Sequence, residues 1–317
     1  MPELPEAETI RRQLLPEIVG RRIESAWIGK RDILGRHRQS PARFKALTMG
    51  RRITGIGRRG KALLLALDDA DTLVVRLGMS GRLLTADPEQ PRAAHTHVIL
   101  RLDDGRDLRY IDPRRFGQVF VAAGTDASAI PGLDKLGPEP FERGLCEHLR
   151  AHLPRRSAAI KQVLMDQGFI AGLGNIYADE ALFRARLHPA QPANTLNHDE
   201  IARLCRAIPQ VLRHAIRCCG TSSADGAYVD ARGAPGSFQK CLNVYQRQGQ
   251  PCRRCGGVIK RVVMHGRSAH FCPSCQKLRR RKGHGGSGGM GATARSKRSA
   301  FRLSLRPVLS KAEGASA

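Results

Sequence analysis

No stretch of this sequence approaches the roughly 18 consecutive apolar residues of a membrane span, and its opening MPELPEAETI has no basic run followed by an apolar core. A spanning protein and a secreted one are therefore not expected; the expectation is a cytoplasmic chain with no membrane partner. Acidic residues are scarce. Asp and Glu number 28 against 54 Lys and Arg, for a formal net charge of +26, which points to a polyanionic partner. No internal repeat is visible, so repeat architectures drop out. The nine cysteines also lack the look of a disulfide framework. Cys146, Cys205, Cys218, Cys219 and Cys241 are scattered, while the other four form two C-x-x-C pairs, a pattern that fits metal binding in a reducing compartment.

What is present suffices for about two domains in 317 residues. Ala7, Ile10, Leu14 and Ile18 recur at helical spacing and Gly20 follows as a stop, so the chain should open with a helix over 3–19. From Arg51 to about Ala122 short apolar runs (ALLLAL, TLVVRLGM, HVILRL, DLRYI) alternate with turn material, which predicts an antiparallel sheet domain. This first domain is bounded at 2–132, with Pro- and Gly-rich 133–140 as connector. Helical periodicity returns over 141–240, interrupted at 220–238 by a Gly-, Ser- and Ala-rich segment read as a long mobile loop. A cysteine-bearing module spans 242–276, and the Gly- and Arg-rich tail 277–317 lacks the apolar content to fold.

Three constellations carry chemistry. Cys252-x-x-Cys255 and Cys272-x-x-Cys275 stand sixteen residues apart, and paired thiolates across a hairpin close a tetrahedral site, so one structural Zn2+ is expected. Arg253, Arg254, Lys260, Arg261 and Arg267 surround them at a density suited to phosphates, although each alone also reads as part of a solvated basic face. In MDQGFIAGLGNIYADEALF, Asn175 follows two glycines at the N-cap position of a helix, which is either a phosphate clasp or an ordinary helix connection. At the N-terminus, removal of Met1 would leave Pro2 as a free secondary amine. Such an amine titrates near pH 8 and can attack an aldehyde-level carbon, with the Glu3 and Glu6 carboxyls at hand for proton transfer. A plain helix start would favour the same residues.

Taken together, PELPEAET, RRGKALLLAL, RLGMSG, YIDPRRFG, LGPEP, GLGNIYADEALF and the four cysteines resemble the bacterial formamidopyrimidine-DNA glycosylase family over about residues 2–276. The resemblance implies an α+β fold: an N-terminal β-sandwich with a leading helix, then a helical domain with a helix-two-turn-helix motif and a zinc finger. It implies a monomer that excises oxidised purines (8-oxoguanine, formamidopyrimidines) from damaged duplex DNA on the bacterial nucleoid and nicks the strand by β,δ-elimination. Pro2 would be the Schiff-base nucleophile, Glu3 a proton donor, Lys61 the proton donor of β-elimination, and Arg267 the residue of δ-elimination and phosphate contact. Met79, Arg114 and Phe116 would fill the void left by the flipped base, whereas composition alone leaves Met79 and Phe116 equally readable as core. His95 and Asn175 match DNA contacts, and Ser157 falls at a basic DNA-contacting position for which Arg156 is a neighbouring substitute. Arg76 stands where many members have histidine. The endonuclease VIII type, acting on oxidised pyrimidines, is the nearest rival, and PRRF argues for the purine enzyme.

Overall fold

The computed structural model describes residues 2–35, 39–222 and 228–279. Helix α1 (Leu4–Ile18) turns Leu4, Ala7, Ile10, Leu14 and Ile18 inward, one side chain per turn, and all are fully buried. Strand β1 (Ile23–Ile28) and helix α2 (Pro41–Thr48) follow, the latter capped by Ser40, whose hydroxyl accepts the Arg43 N–H at 3.1 Å.

Seven further strands complete two antiparallel sheets: β2 (Ile53–Arg59), β3 (Ala62–Leu67), β4 (Thr72–Arg76), β5 (Arg82–Ala86), β6 (Thr96–Leu102), β7 (Asp107–Ile111) and β8 (Gln118–Ala122). One sheet has the order β1-β6-β7-β5 and the other β2-β3-β4-β8. In β3, Leu63 and Leu65 face Val75 and Leu73 of β4 and bury into the layer shared by both sheets and α1. The opposite face of this sheet is covered as well, because Ala62, Val74 and Phe120 pack under Ile130 and the first connector residue, Leu133. Both faces of β4 are thus closed, which is why it reads as an unbroken apolar run rather than an alternation.

The second half builds its core from α3 (Leu145–His152), α4 (Ile160–Met165), α5 (Asn175–Ala185) and α6 (His198–Arg217). Asn197 caps α6, accepting the Glu200 N–H while the Glu200 carboxylate accepts the Asn197 N–H, each at 2.9 Å. A β9 (Lys260–Met264) and β10 (Arg267–Phe271) hairpin follows. Of the segment 220–238, residues 223–227 lie outside the described residues, and the rest is anchored: Tyr228 and Ala231 are buried in the sandwich core, and Gln13 of α1 bonds Asp230 and the Ala231 N–H. Of the tail 277–317, residues 280–317 lie outside the described residues, while the Arg279 N–H donates to Gln191 at 2.9 Å.

Candidate active site

The two halves meet where α1 starts. Glu3 extends its carboxylate across to α5, accepting the N–H groups of Gly174 (2.7 Å), Ile176 (3.0 Å) and Tyr177 (3.4 Å). The first N–H groups of α5 are therefore taken by a carboxyl side chain of the same chain. The helix cap is Gly174, and Asn175 is the first helical residue rather than the cap expected from its position. Glycine is required there, since a Cβ on Gly174 would sit 2.4 Å from Glu3 Cδ.

Glu6 lies behind Glu3 and accepts the Glu3 N–H at 2.8 Å. It also receives the Tyr177 hydroxyl and, at 2.8 Å, the Thr221 N–H. Burial pushes the Glu6 carboxyl above its ordinary value and the neighbouring charge of Glu3 pushes the same way, against these hydrogen bonds. Through Tyr177 and Thr221 the leading helix, α5 and the start of the 220–238 segment share one buried carboxyl.

Lys61 opens from the turn between β2 and β3. Glu139 of LGPEP pins that turn, accepting the Gly60 N–H at 2.6 Å and pairing with Arg58 at 2.8 Å, while Arg59 donates to the Leu136 and Gly137 carbonyls at 2.8 Å. Burial lowers the Lys61 ammonium below its ordinary value, opposed by Glu3 and Glu6 and reinforced by the positive charge of Arg267. Pro2, Lys61, Arg76, Met79 and Phe116 line one open cavity of about 430 Å³. The charges of Glu3, Glu6 and Arg267 thus all reach Lys61, which shares its cavity with Pro2, Met79 and Phe116, while Arg267 itself lines a separate pocket beside Lys161.

Phe116 is 59% exposed, so core packing does not explain it. The exposed Arg114 guanidinium lies 4.9 Å from its ring centroid. Fully buried Asp112 shapes this loop: Oδ1 accepts the Ser80 hydroxyl at 2.6 Å, and Oδ2 accepts the Gly117 N–H at 2.9 Å and the Tyr110 hydroxyl at 3.2 Å. The MSG and RRFG loops consequently interlock, and Gly78, at φ +62°, has no room for a Cβ, which would approach Gly117 N to 2.5 Å. His95 is exposed at φ +64° and its carbonyl accepts the Asp112 N–H at 3.0 Å. Arg76 donates to the Pro131 carbonyl at 2.8 Å.

The strand that begins with Arg267 is held, at the residues after it, by a buried ion pair not evident from the sequence. Lys161, 2% exposed, donates to Asp179 at 2.6 Å and to the Ser268 carbonyl at 2.5 Å. Asp179 also accepts the His270 N–H at 2.9 Å, so α4 and α5 together clamp β10 immediately after Arg267. Asn175 Nδ2 donates to Ser268 Oγ at 3.4 Å, and its buried Oδ1 has no partner among the described residues. Exposed Arg156 stacks its guanidinium 5.8 Å from the Phe169 ring, and Ser157 beside it is exposed.

Ligand atoms of Cys252, Cys255, Cys272 and Cys275 all lie within 4.8 Å of one another, with Sγ–Sγ separations of 4.0 Å for Cys252–Cys275 and 3.4 Å for Cys255–Cys272. Tetrahedral zinc with thiolates at about 2.3 Å needs sulfurs about 3.8 Å apart, so the cluster fits one structural zinc.

Comparison with known proteins agrees with this geometry. Residues 1–119 match the formamidopyrimidine-DNA glycosylase N-terminal domain, 136–226 the H2TH domain of the same enzymes, and 249–278 the zinc finger found in FPG and IleRS. The chain is 48% identical over 281 residues to formamidopyrimidine-DNA glycosylase of Heliobacterium modesticaldum, covering 87% of this chain and all of that protein. It superposes on MutM (Fpg) of Thermus thermophilus with a TM-score of 0.78 at 41% identity, covering 88% of this chain and 100% of that one. Lactococcus lactis Fpg in complex with DNA containing Fapy-dG gives 0.77 at 34% identity, covering 87% and 100%. The chain therefore belongs to the formamidopyrimidine-DNA glycosylase family, DNA glycosylases with abasic-site lyase activity that act in base excision repair of oxidised purines.

Proposed function

We propose that this DNA glycosylase works through the Pro2 nitrogen, freed by removal of Met1, and that the cavity lined by Pro2, Lys61, Met79 and Phe116 receives the flipped nucleotide. That cavity carries the reading: it joins Pro2, a secondary amine once Met1 is removed, to a lysine with a lowered ammonium value, backed by two buried carboxyls. The amine lone pair attacks C1′ as the bond from C1′ to the base nitrogen breaks, with Glu3 delivering the proton that opens the sugar. The resulting iminium acidifies C2′, and loss of that proton expels the 3′ phosphate with Lys61 as proton donor. A second elimination expels the 5′ phosphate, held by Arg267, and water then frees Pro2. Glu6 holds the Glu3 backbone and the Thr221 N–H around this centre.

Met79, Arg114 and Phe116 fill the vacated stack, and His95, Asn175, Arg156 and Ser157 contact the DNA. Residues 2–132 form the catalytic domain, 133–140 the connector, 141–240 the helix-two-turn-helix domain with its lesion segment, 242–276 the zinc finger, and 277–317 a basic tail on phosphates. The acting species is a monomer on cytoplasmic nucleoid DNA; the +26 charge supports DNA association. No helix among the described residues is long and apolar enough to cross a membrane.

Duplexes carrying 8-oxoguanine, formamidopyrimidine or thymine glycol, each incubated with borohydride, test the purine assignment. Adduct formation and gap products should be fastest with the purine lesions, and faster processing of thymine glycol would overturn it.

A further inference from the structure

A second cluster of soft ligands is made of residues other than the four cysteines of the zinc site. The side-chain ligand atoms of His214, Cys218 and Cys241 all lie within 4.8 Å of one another. His214 is in the last turn of α6 and Cys218 caps that helix one turn later, which brings the imidazole and the thiol onto the same face. Cys241 closes the short 3-10 turn Phe238–Cys241 on the other side of the 220–238 segment. The backbone holds these pieces together: the Ser237 N–H donates to the Cys218 carbonyl at 2.8 Å and the Phe238 N–H to the Gly220 carbonyl at 3.0 Å. The Phe238 ring packs edge-on to His214 at 5.2 Å between centroids. His214 and Cys241 also line a cavity of about 570 Å³ together with Arg213, Arg217 and Lys240.

We propose that His214, Cys218 and Cys241 form a second metal site, distinct from the structural zinc, which takes a soft cation of the Zn2+ type. One imidazole and two thiolates are the donor set such ions select, and they leave one tetrahedral position for water. Binding displaces the two thiol protons, so the thiolates cancel the charge of a divalent ion and the completed site is neutral. A metal here ties the exit of α6 to the return of the segment whose first residues deliver the Thr221 N–H to Glu6. Occupancy therefore stiffens the back wall of the active centre without touching the reacting atoms.

The test uses the full chain with its structural zinc in place and Zn2+ alone as probe. Metal analysis after desalting should find a second zinc in the native chain, while Cys218→Ser and Cys241→Ser each lose one equivalent and keep the other. The retained zinc shows that the variants are folded. Added Zn2+ should also protect Cys218 and Cys241 from alkylation, mapped by mass spectrometry, and leave Cys146 reactive. A single equivalent in the native chain, a second equivalent that survives both serine variants, or recovery of Cys218 and Cys241 as a disulfide from the freshly isolated chain would each overturn the proposal.

Discussion

The Glu3 carboxylate accepts the Gly174 N–H at 2.7 Å, joining the residue after the candidate nucleophile to the start of a helix 171 positions away. The sandwich and the helical half are thereby coupled at the point where the chemistry is proposed, and the helix dipole of α5 is directed at the same carboxylate. The Leu4 N–H donates to the Gly172 carbonyl at 3.1 Å and adds a second tie.

Gly174→Ala tests that coupling. The added methyl would fall 2.4 Å from Glu3 Cδ, so Glu3 must move, and displacement of about 1 Å near reacting groups costs on the order of 10²-fold in rate. Single-turnover excision of 8-oxoguanine should fall by that order while binding to abasic-site DNA is retained. An unimpaired rate would show that the Glu3 position is not required.

Lys161→Met leaves Asp179 buried without its ammonium, and breaking a buried pair costs about 3–5 kcal/mol. Urea unfolding should shift accordingly. Lesion-DNA affinity should fall as well, because β10 loses the anchor at Ser268 that follows Arg267. The double variant Lys161→Met with Asp179→Leu should recover only part of the stability, because the buried His270 N–H is left without its acceptor, and should not recover the affinity.

Cys272→Ser should remove the structural zinc and DNA affinity together, since three thiolates cannot hold the hairpin that presents Arg267. Zinc analysis and a binding titration on the same sample check this. Full affinity in a variant shown to lack the zinc would remove the structural role.

Acid stability should depend on Glu8. Burial raises its carboxyl, yet hydrogen bonds from Arg11 and Arg12 and the charges of Arg11 and Arg58 outweigh this and bring it down to about 2 from an ordinary 4.5. A carboxylate lowered by the fold stabilises above its unfolded value and loses that contribution as pH falls from 4.5 towards 2. Glu8→Gln should cost about 1–3 kcal/mol at neutral pH. It should also flatten the decline in urea midpoint across that acid window. An unchanged slope would mean that other carboxylates carry the acid sensitivity.

Much of this architecture was legible in the sequence because its patterns are local. The α1 stripe from Ala7 to Ile18 and the apolar runs of β3, β4, β6 and β7 report burial directly. Strand β1 was missed: the register shifts between Ile23 and Ser25 against β6, which breaks the two-residue period that would have revealed it. Asp112, Glu139, Lys161 and Asp179 were also missed, because a buried polar residue is defined by partners distant in sequence, such as Ser80 for Asp112 and Gly60 for Glu139. Lys161 and Asp179 did leave a signal, being charged residues on otherwise apolar helix faces. Asn175 was placed one position too early because no local residue caps α5; the capping carboxylate comes from Glu3.

Intact-mass measurement combined with borohydride trapping decides whether the free Pro2 amine is the nucleophile. A chain that retains Met1 carries the Pro2 nitrogen as a tertiary amide, whose delocalised lone pair cannot attack C1′. On duplex containing 8-oxoguanine opposite cytosine, the Met1-bearing species should give no excision and no trapped adduct, and exposure of Pro2 should restore both if its amine is the nucleophile. Normal cleavage and trapping by a chain shown by mass to keep Met1 would contradict it and make Lys61 the leading candidate for the nucleophile.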